Sequence, residues 1–342
     1  MMEILISIQH PAHVHFFKHA IRELRERDHE THVYALDRSV TRELLAANDI
    51  EHTVLASRGP DDSVPLTQLV YEYRLLRAAQ RHDPDVMAAV GGVSVSHVAS
   101  VLKTRSVVFT DTDHATLSNR LAFPFADLIC TPTCYRGNIG PKQYTYPGYH
   151  ELAYLHPDRF SPSPAPLEAI GIDPEETLVV LRLIRWDAMH NVGGEGFKDL
   201  EGVVERLERT GARVLVSSEK PLPSTLEDHR AVVPSNRMHD LLAYADLFIG
   251  ESGTMSAESA VLGTPAVYAH ENETGLTEEL AEYGLLFPCH GPTRRADALK
   301  TAVSILEGGT ERDWESRRDR MLADRRDTTE IVVERLLDVG RR

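Results

Sequence analysis

The chain has 342 residues, 42% of them hydrophobic and 26% charged, and its formal net charge is −15. This length exceeds one ordinary core and suits two domains, while the composition excludes a disordered chain. The acid excess argues against nucleic acid or an anionic membrane as a general partner, and no apolar run nears the ~20 residues that cross a bilayer.

In chain order, Met2–Ile8 reads as a strand, Gln9–Ala12 as a turn and Val14–Arg27 as an amphipathic helix with Phe16, Phe17, Ala20, Ile21 and Leu24 at helical spacing. Strands at Thr31–Leu36, Thr53–Leu55, Val86–Val90, Val107–Thr110 and Leu128–Thr131 alternate with helices at Arg38–Ala47, Leu66–Arg81, Val93–Leu102 and Thr116–Phe123. Such alternation predicts an α/β fold, a parallel sheet with crossover helices on both faces. His156–Pro166 is dense in proline and reads as a linker.

A second series follows. Strands are expected at Leu178–Leu183, Arg213–Ser217, Ala231–Val233, Leu247–Gly250, Pro265–Ala269 and Leu285–Phe287, with helices at Phe197–Arg209, Met238–Ala245, Met255–Leu262 and Thr277–Tyr283. The tail, Arg294–Arg342, is helical and charged. The expected organisation is a Rossmann-like domain over 1–155, a linker over 156–176, a second Rossmann-like domain over 177–325 and a C-terminal helix over 326–342. Ligands of open parallel sheets sit at the carboxyl ends of the strands, so two such domains facing each other make a cleft.

Three cysteines (Cys130, Cys134 and Cys289) offer no disulfide framework, and their odd count fits a reducing compartment. Met1–Ile8 lacks the basic segment of a signal peptide. A cytoplasmic protein is expected. Lysine is confined to Lys18, Lys103, Lys142, Lys198, Lys220 and Lys300 while arginine is abundant, and with the acid excess this suggests a halophilic, salt-rich cell interior.

The stretch that carries most weight is Leu241–Tyr268. An apolar strand runs into Glu251-Ser252-Gly253-Thr254, then a helix, then Gly263-Thr264-Pro265 and another apolar strand. Ser252, Gly253 and Thr254 begin the helix, so their N–H groups and hydroxyls point at whatever sits off the strand end, as in an anion site. Glu258 lies one turn further along the same face, where a carboxylate can accept from paired sugar hydroxyls. A bare capped helix after a strand is the alternative.

At these residues the chain resembles the C-terminal domain of the GT-B glycosyltransferases and of the related non-hydrolysing UDP-N-acetylglucosamine 2-epimerases, which carry a strand, a Ser-Gly or Gly-Gly turn, a Glu, and a Gly-x-Pro before the next strand. The resemblance implies that Ser252, Gly253 and Thr254 bind a diphosphate and Glu258 a ribose. Over its whole length the chain also resembles an uncharacterised archaeal family with this fold, whose opening strand precedes a Pro-x-His-x-His-Phe-Phe segment, here Pro11–Phe17. The implied activity is metal-independent transfer of a sugar from a nucleotide-sugar donor, which is substrate and not cofactor, to an acceptor that the sequence does not name.

Other candidates follow from position. Gln9–His15 contains no Gly-x-Gly-x-x-Gly, so no dinucleotide is expected there. The family position implies acceptor contact, with His10 or His13 as base, or else these histidines cap the helix or face solvent. Gly91-Gly92 and Asp111-Thr112-Asp113-His114 end two neighbouring strands; Asp111 and Asp113 are candidates for a general base or an electrostatic partner of a sugar hydroxyl, the alternative being a helix cap. In the second domain Arg182 and Arg185 can clamp phosphate oxygens, or form surface ion pairs, and Asn191–Gly194 precedes a helix. Ser217-Ser218-Glu219 and Asn236-Arg237-Met238-His239 lie where such folds meet the base, and His270-Glu271-Asn272-Glu273 where they meet sugar hydroxyls, unless it is a solvated acidic loop. Phe16 and Phe17 beside Lys18 offer contact to a lipid-linked acceptor, or, as favoured here, are core.

Two further enzyme classes are weighed. Epimerases carry His-Arg-Arg-Glu-Asn and His-Gly-Asp-Thr segments where this chain has Leu183–Asp187 and Gly91–Ser94, so their catalytic residues are missing. A metal hydrolase built on His10, His13, His15 and His19 with Asp111, Asp113 and His114 is disfavoured, because no spacing matches a zinc signature, and no metal ligand is assigned. A sugar-nucleotide binder without catalysis is the remaining alternative.

Overall fold

The computed structural model describes residues 1–57, 59, 63–183, 199–218, 220–271, 273–309 and 313–341. The chain forms two compact units, Met1–Phe160 with Arg325–Arg342, and Ser161–Asp324. Among the described residues no helix is long and apolar enough to cross a membrane.

The first unit is built on seven strands: β1 (Glu3–Ile8), β2 (Glu30–Asp37), β3 (Thr53–Ser57), β4 (Val86–Val90), β5 (Arg105–Phe109), β6 (Leu128–Pro132) and β7 (Gln143–Tyr146). Their order is β3-β2-β1-β4-β5-β6-β7 and every pairing is parallel. Residues Ile4 to Ile8 of β1 are buried without alternation, as expected where helices cover both faces of a sheet. On one face Leu5, Tyr34, Leu75, Met87 and Val98 share a core. The other face receives the helix Pro11–Glu26 and, from the end of the chain, the helix Thr328–Gly340.

That last helix is an integral part of the first unit. Ile331, Val332 and Leu336 are fully buried. Asp327 caps it by accepting from the Thr329 amide at 2.8 Å and holds Arg159 Nε at 2.6 Å. Thr328 and Thr329 donate to the carbonyls of Tyr149 and Ala153 at 2.6 and 2.7 Å. β7 was not expected from the sequence: Gln-Tyr-Thr-Tyr between two prolines lacks an apolar run, and it forms as an edge strand, where one side needs no partner.

The second unit has five strands: β8 (Leu178–Leu183), β9 (Arg213–Ser218), β10 (Leu247–Gly250), β11 (Ala266–Ala269) and β12 (Leu286–Cys289). They are all parallel in the order β12-β11-β10-β8-β9. The strand expected at Ala231–Val233 does not form; the chain makes one bridge there, Val216 to Arg230, and Pro234 then removes the next donor.

In each sheet the chain moves outward on one side and returns on the other. The switch lies between β1 and β4 in the first unit and between β8 and β10 in the second. The carboxyl ends flanking a switch are where such sheets open a ligand crevice. At the first of them Gly92 has φ +62°, and a Cβ there would lie 2.4 Å from Val108 Cγ2, so the turn into the helix Val93–Leu102 has room for glycine alone.

Because the last helix fills the core of the first unit, Leu336→Ala should destabilise that unit by about 2–5 kcal/mol. Urea unfolding measures this, and a loss under about 1 kcal/mol would mean that the helix is peripheral.

Candidate functional site

In the second unit, Gly250 pairs with Arg182 across the switch and Arg182 pairs with Ser217 on the other side. The Glu251 amide donates to the Arg182 carbonyl at 3.2 Å, and Arg182 Nη1 donates to Ser217 Oγ at 2.9 Å. Ser252 then caps the helix Gly253–Leu262, its Oγ accepting from the Met255 amide at 3.3 Å. The amides of Gly253 and Thr254 belong to the first turn, which has no intrahelical acceptors. A Cβ on Gly253 would meet the Tyr268 hydroxyl at 3.2 Å, so this turn is crowded from β11 as well. Arg182, Ser217, Ser252, Gly253 and Thr254, all singled out in the sequence, thus lie at one edge of this sheet.

Acidic side chains around this edge hold basic partners. Buried Glu251 accepts from Arg295 Nε at 2.7 Å. Glu258 is buried too, and its Oε1 bonds His239 Nε2 at 3.0 Å, which ties the helix Met238–Ala243 to the Gly253 helix. Met238 and His239 therefore lie beside Glu258, and His239 is a buried partner of that carboxylate. Glu271 is exposed and pairs with Arg294 at 3.0 Å; Glu273 pairs with His290 at 2.8 Å. His270 stacks on Tyr268, ring centroids 5.6 Å apart and planes nearly parallel. Arg185, Asn191–Gly194, Glu219 and Asn272 lie outside the described residues.

In the first unit, His10 is the N-cap of the helix Pro11–Glu26, with Nδ1 accepting from the Ala12 amide at 3.3 Å. Gln9 at the end of β1 reaches Ser94 beyond β4, Nε2 to Oγ at 3.2 Å, closing the first switch. His13 Nδ1 accepts from the Gln9 amide at 3.4 Å, and its ring sits 5.8 Å from that of His10. Burial, then repulsion from His10, His150 and Arg38, pushes the His13 pKa down to about 3. His10 is lowered as well, by burial and then Arg38.

Asp111, just past β5, faces His150 at 3.4 Å, Oδ2 to Nδ1. His150 is buried against Phe16 and was missed by the sequence reading, since it sits in Tyr146–Glu151 after the unexpected strand β7. Burial lowers its pKa, and the Asp111 carboxylate works against that shift. Asp113 does not cap the following helix, Thr116–Ala122, whose N-cap is Ala115. It lines a cavity of about 620 Å³ together with Asn119, Arg120, Phe123, Tyr135 and Lys142; His114 pairs with Asp113 at 3.4 Å. Phe16 and Phe17 pack on Phe109 in the core, and both rings are buried. Among the described residues, the histidines of the first helix and Asp111, Asp113 and His114 form no group of three with ligand atoms close enough for a metal; Glu3, His32 and His82 do.

Two parallel-sheet α/β units, each with its polar residues gathered at a switch point, make the architecture of the GT-B enzymes. The solved UDP-N-acetylglucosamine 2-epimerase of Methanocaldococcus jannaschii superposes with a TM-score of 0.72 over 98% of this chain and 99% of its own, at 15% identity. The spinosyn rhamnosyltransferase SpnG, solved with thymidine diphosphate, gives 0.66 over 97% and 99% at 13% identity. The sequence profile of the family described as "Protein of unknown function (DUF354)" matches residues 2–339, and the chain belongs to that family. An uncharacterised protein of Methanocaldococcus jannaschii, MJ0665, is 25% identical over 289 residues, 80% of this chain and 83% of that protein.

His13 makes the first site pH-sensitive. Its imidazole titrates near 6.5 when unfolded and about 3 when folded, so the folded state binds fewer protons between those values. The stability it contributes is complete above about pH 6.5 and is lost as pH falls toward 3. His13→Gln should flatten the decline in urea midpoint between pH 6.5 and 4 relative to the unaltered chain. Parallel declines would show that His13 is not buried in this way.

Proposed function

We propose that this protein transfers a sugar from a nucleoside-diphosphate sugar, bound at the second switch point, to an acceptor bound by the first unit. The observation that supports this most is the capped start of the Gly253 helix, set beside Arg182 at the carboxyl ends of β8 and β10. Cleavage of the sugar–phosphate bond leaves negative charge on the diphosphate. The helix amides and the Arg182 guanidinium would absorb that charge without a metal, because oriented dipoles and a fixed cation need no reorganisation as it develops. Arg185 would assist from the following segment. Glu258, positioned by His239, would hold the ribose, with Met238 near the base and Glu271 near the sugar hydroxyls.

On the acceptor side the reaction needs a group that takes the proton of the attacking hydroxyl. Asp111, whose Oδ2 lies 3.4 Å from His150 Nδ1, suits that role, with the buried ring orienting the carboxylate that takes the proton. His13 is neutral at pH 7 and serves better as a hydrogen-bonding neighbour than as the base, since an imidazole with a pKa of about 3 takes a proton poorly. His10, as helix cap, would position the turn. Asp113 and the cavity beside it would receive the acceptor.

A second reading, isomerisation of a UDP-sugar, draws on the fold shared with the epimerases, and the two part on product. Transfer releases free nucleoside diphosphate, whereas epimerisation returns an isomeric sugar nucleotide.

The direct test is a thermal-shift screen of UDP, GDP, dTDP and CDP and their sugars. One nucleotide should raise the melting temperature by a few degrees, and Arg182→Met and Glu258→Gln should lose most of that gain. No shift with any nucleotide would end the proposal.

A further inference from the structure

Glu3, His32 and His82 lie away from the switch point of their own sheet. Glu3 opens β1, His32 is the third residue of β2, and His82 ends the helix Val64–His82. Strand alternation sets Glu3 and Leu5 on one face, and His32 and Tyr34 on the same face of the neighbouring strand. Leu5 and Tyr34 belong to the core beneath that helix, so the three polar residues form its rim at the amino end of the sheet. The switch point at Gln9 lies at the other end of β1, about 20 Å away at strand rise.

One ligand atom from each residue, a carboxylate oxygen and two imidazole nitrogens, lies within 4.8 Å of the other two. Glu3 Oε2 and His32 Nε2 are 2.6 Å apart, and the rings of His32 and His82 lie with centroids 3.8 Å apart, tilted by 32°. A tetrahedral ion with arms of about 2.0–2.1 Å spaces its ligand atoms roughly 3.3 Å apart. The three atoms therefore need to move by no more than side-chain torsions allow, with the proton between Glu3 and His32 giving way to the ion. The Glu3 amide donates to Asp85 Oδ2 at 2.8 Å, which fixes the backbone from which one ligand projects.

We propose that Glu3, His32 and His82 bind a divalent first-row transition ion of the zinc type, a site that ties the start of β1, β2 and the end of the Val64–His82 helix together. Two imidazoles and one carboxylate are the donor set such ions favour over magnesium or calcium, which take oxygen ligands. A groove of about 820 Å³, lined by His32, His82, His52, Asp49 and Glu51 among others, gives an ion a route in and leaves the fourth position to water. The ligands come from residues 3, 32 and 82, far apart in sequence, so the unfolded chain offers no such site and binding stabilises the fold.

The test uses the full chain, stripped with chelator and titrated with Zn²⁺. One ion per chain should bind at micromolar protein and raise the melting temperature by several degrees. His32→Ala and His82→Ala should abolish the stoichiometric step, Glu3→Gln should weaken it at least tenfold, and His97→Ala, at a histidine remote from the cluster, should leave it intact. Co²⁺ in the unaltered chain should give the visible bands of four-coordinate nitrogen–oxygen ligation, a readout that stands even if a variant folds poorly. Absence of stoichiometric binding, or binding that survives both histidine substitutions, would overturn the proposal.

Discussion

The candidate site depends on one close approach between two strands. At the second switch point a Cβ on Gly250 would lie 2.7 Å from the Arg182 carbonyl oxygen and 2.8 Å from its Cβ, so only glycine lets β10 run this near the end of β8. That contact sets the Glu251 amide on the Arg182 carbonyl, and Ser252 follows as the cap of the next helix. Arginine side chain and helix terminus are thereby delivered to the same strand ends. A bulkier residue at 250 would part the strands and, with them, the two features an anion would meet.

A chain of net charge −15 must still present a non-repelling face if it is to hold a diphosphate. Around the Gly253 helix the carboxylates are matched one by one: Glu251 with Arg295, Glu258 with His239, Glu271 with Arg294 and Glu273 with His290. Pairs of this kind, buried or exposed, contribute little net stability. Their consequence is local: Arg295 and Arg294 offset two of these carboxylates, which reduces the repulsion an anion would meet at this edge.

Much of this was legible in the sequence, and the parts that were not have physical causes. Strands of Val, Ile and Leu bounded by turns mark a parallel sheet buried on both faces, which is why β1, β4, β8 and β10 were readable to within a residue or two. β7 escaped because an edge strand flanked by prolines needs neither apolar run nor alternation. The Ser-Gly-Thr turn was readable as a local motif. The Asp111–His150 pair was not, because it joins residues that follow different strands, in loops that show no period. Glu258 was legible as a residue on the correct helix, yet its bond to His239 is a tertiary contact that spacing alone does not reveal. Glu3, His32 and His82 escaped for the same reason: residues spread over 80 positions meet only because β1 and β2 pair and a helix returns over them.

The central claim is that the amides opening the Gly253 helix receive a diphosphate. Backbone amide NMR of the labelled protein, titrated with the nucleoside diphosphate that binds best, tests it residue by residue. The account predicts the largest shifts at Gly253, Thr254 and Met255, with the Arg182 guanidinium protons moving in step. Shifts centred on another edge of the sheet, with these amides unmoved, would contradict it.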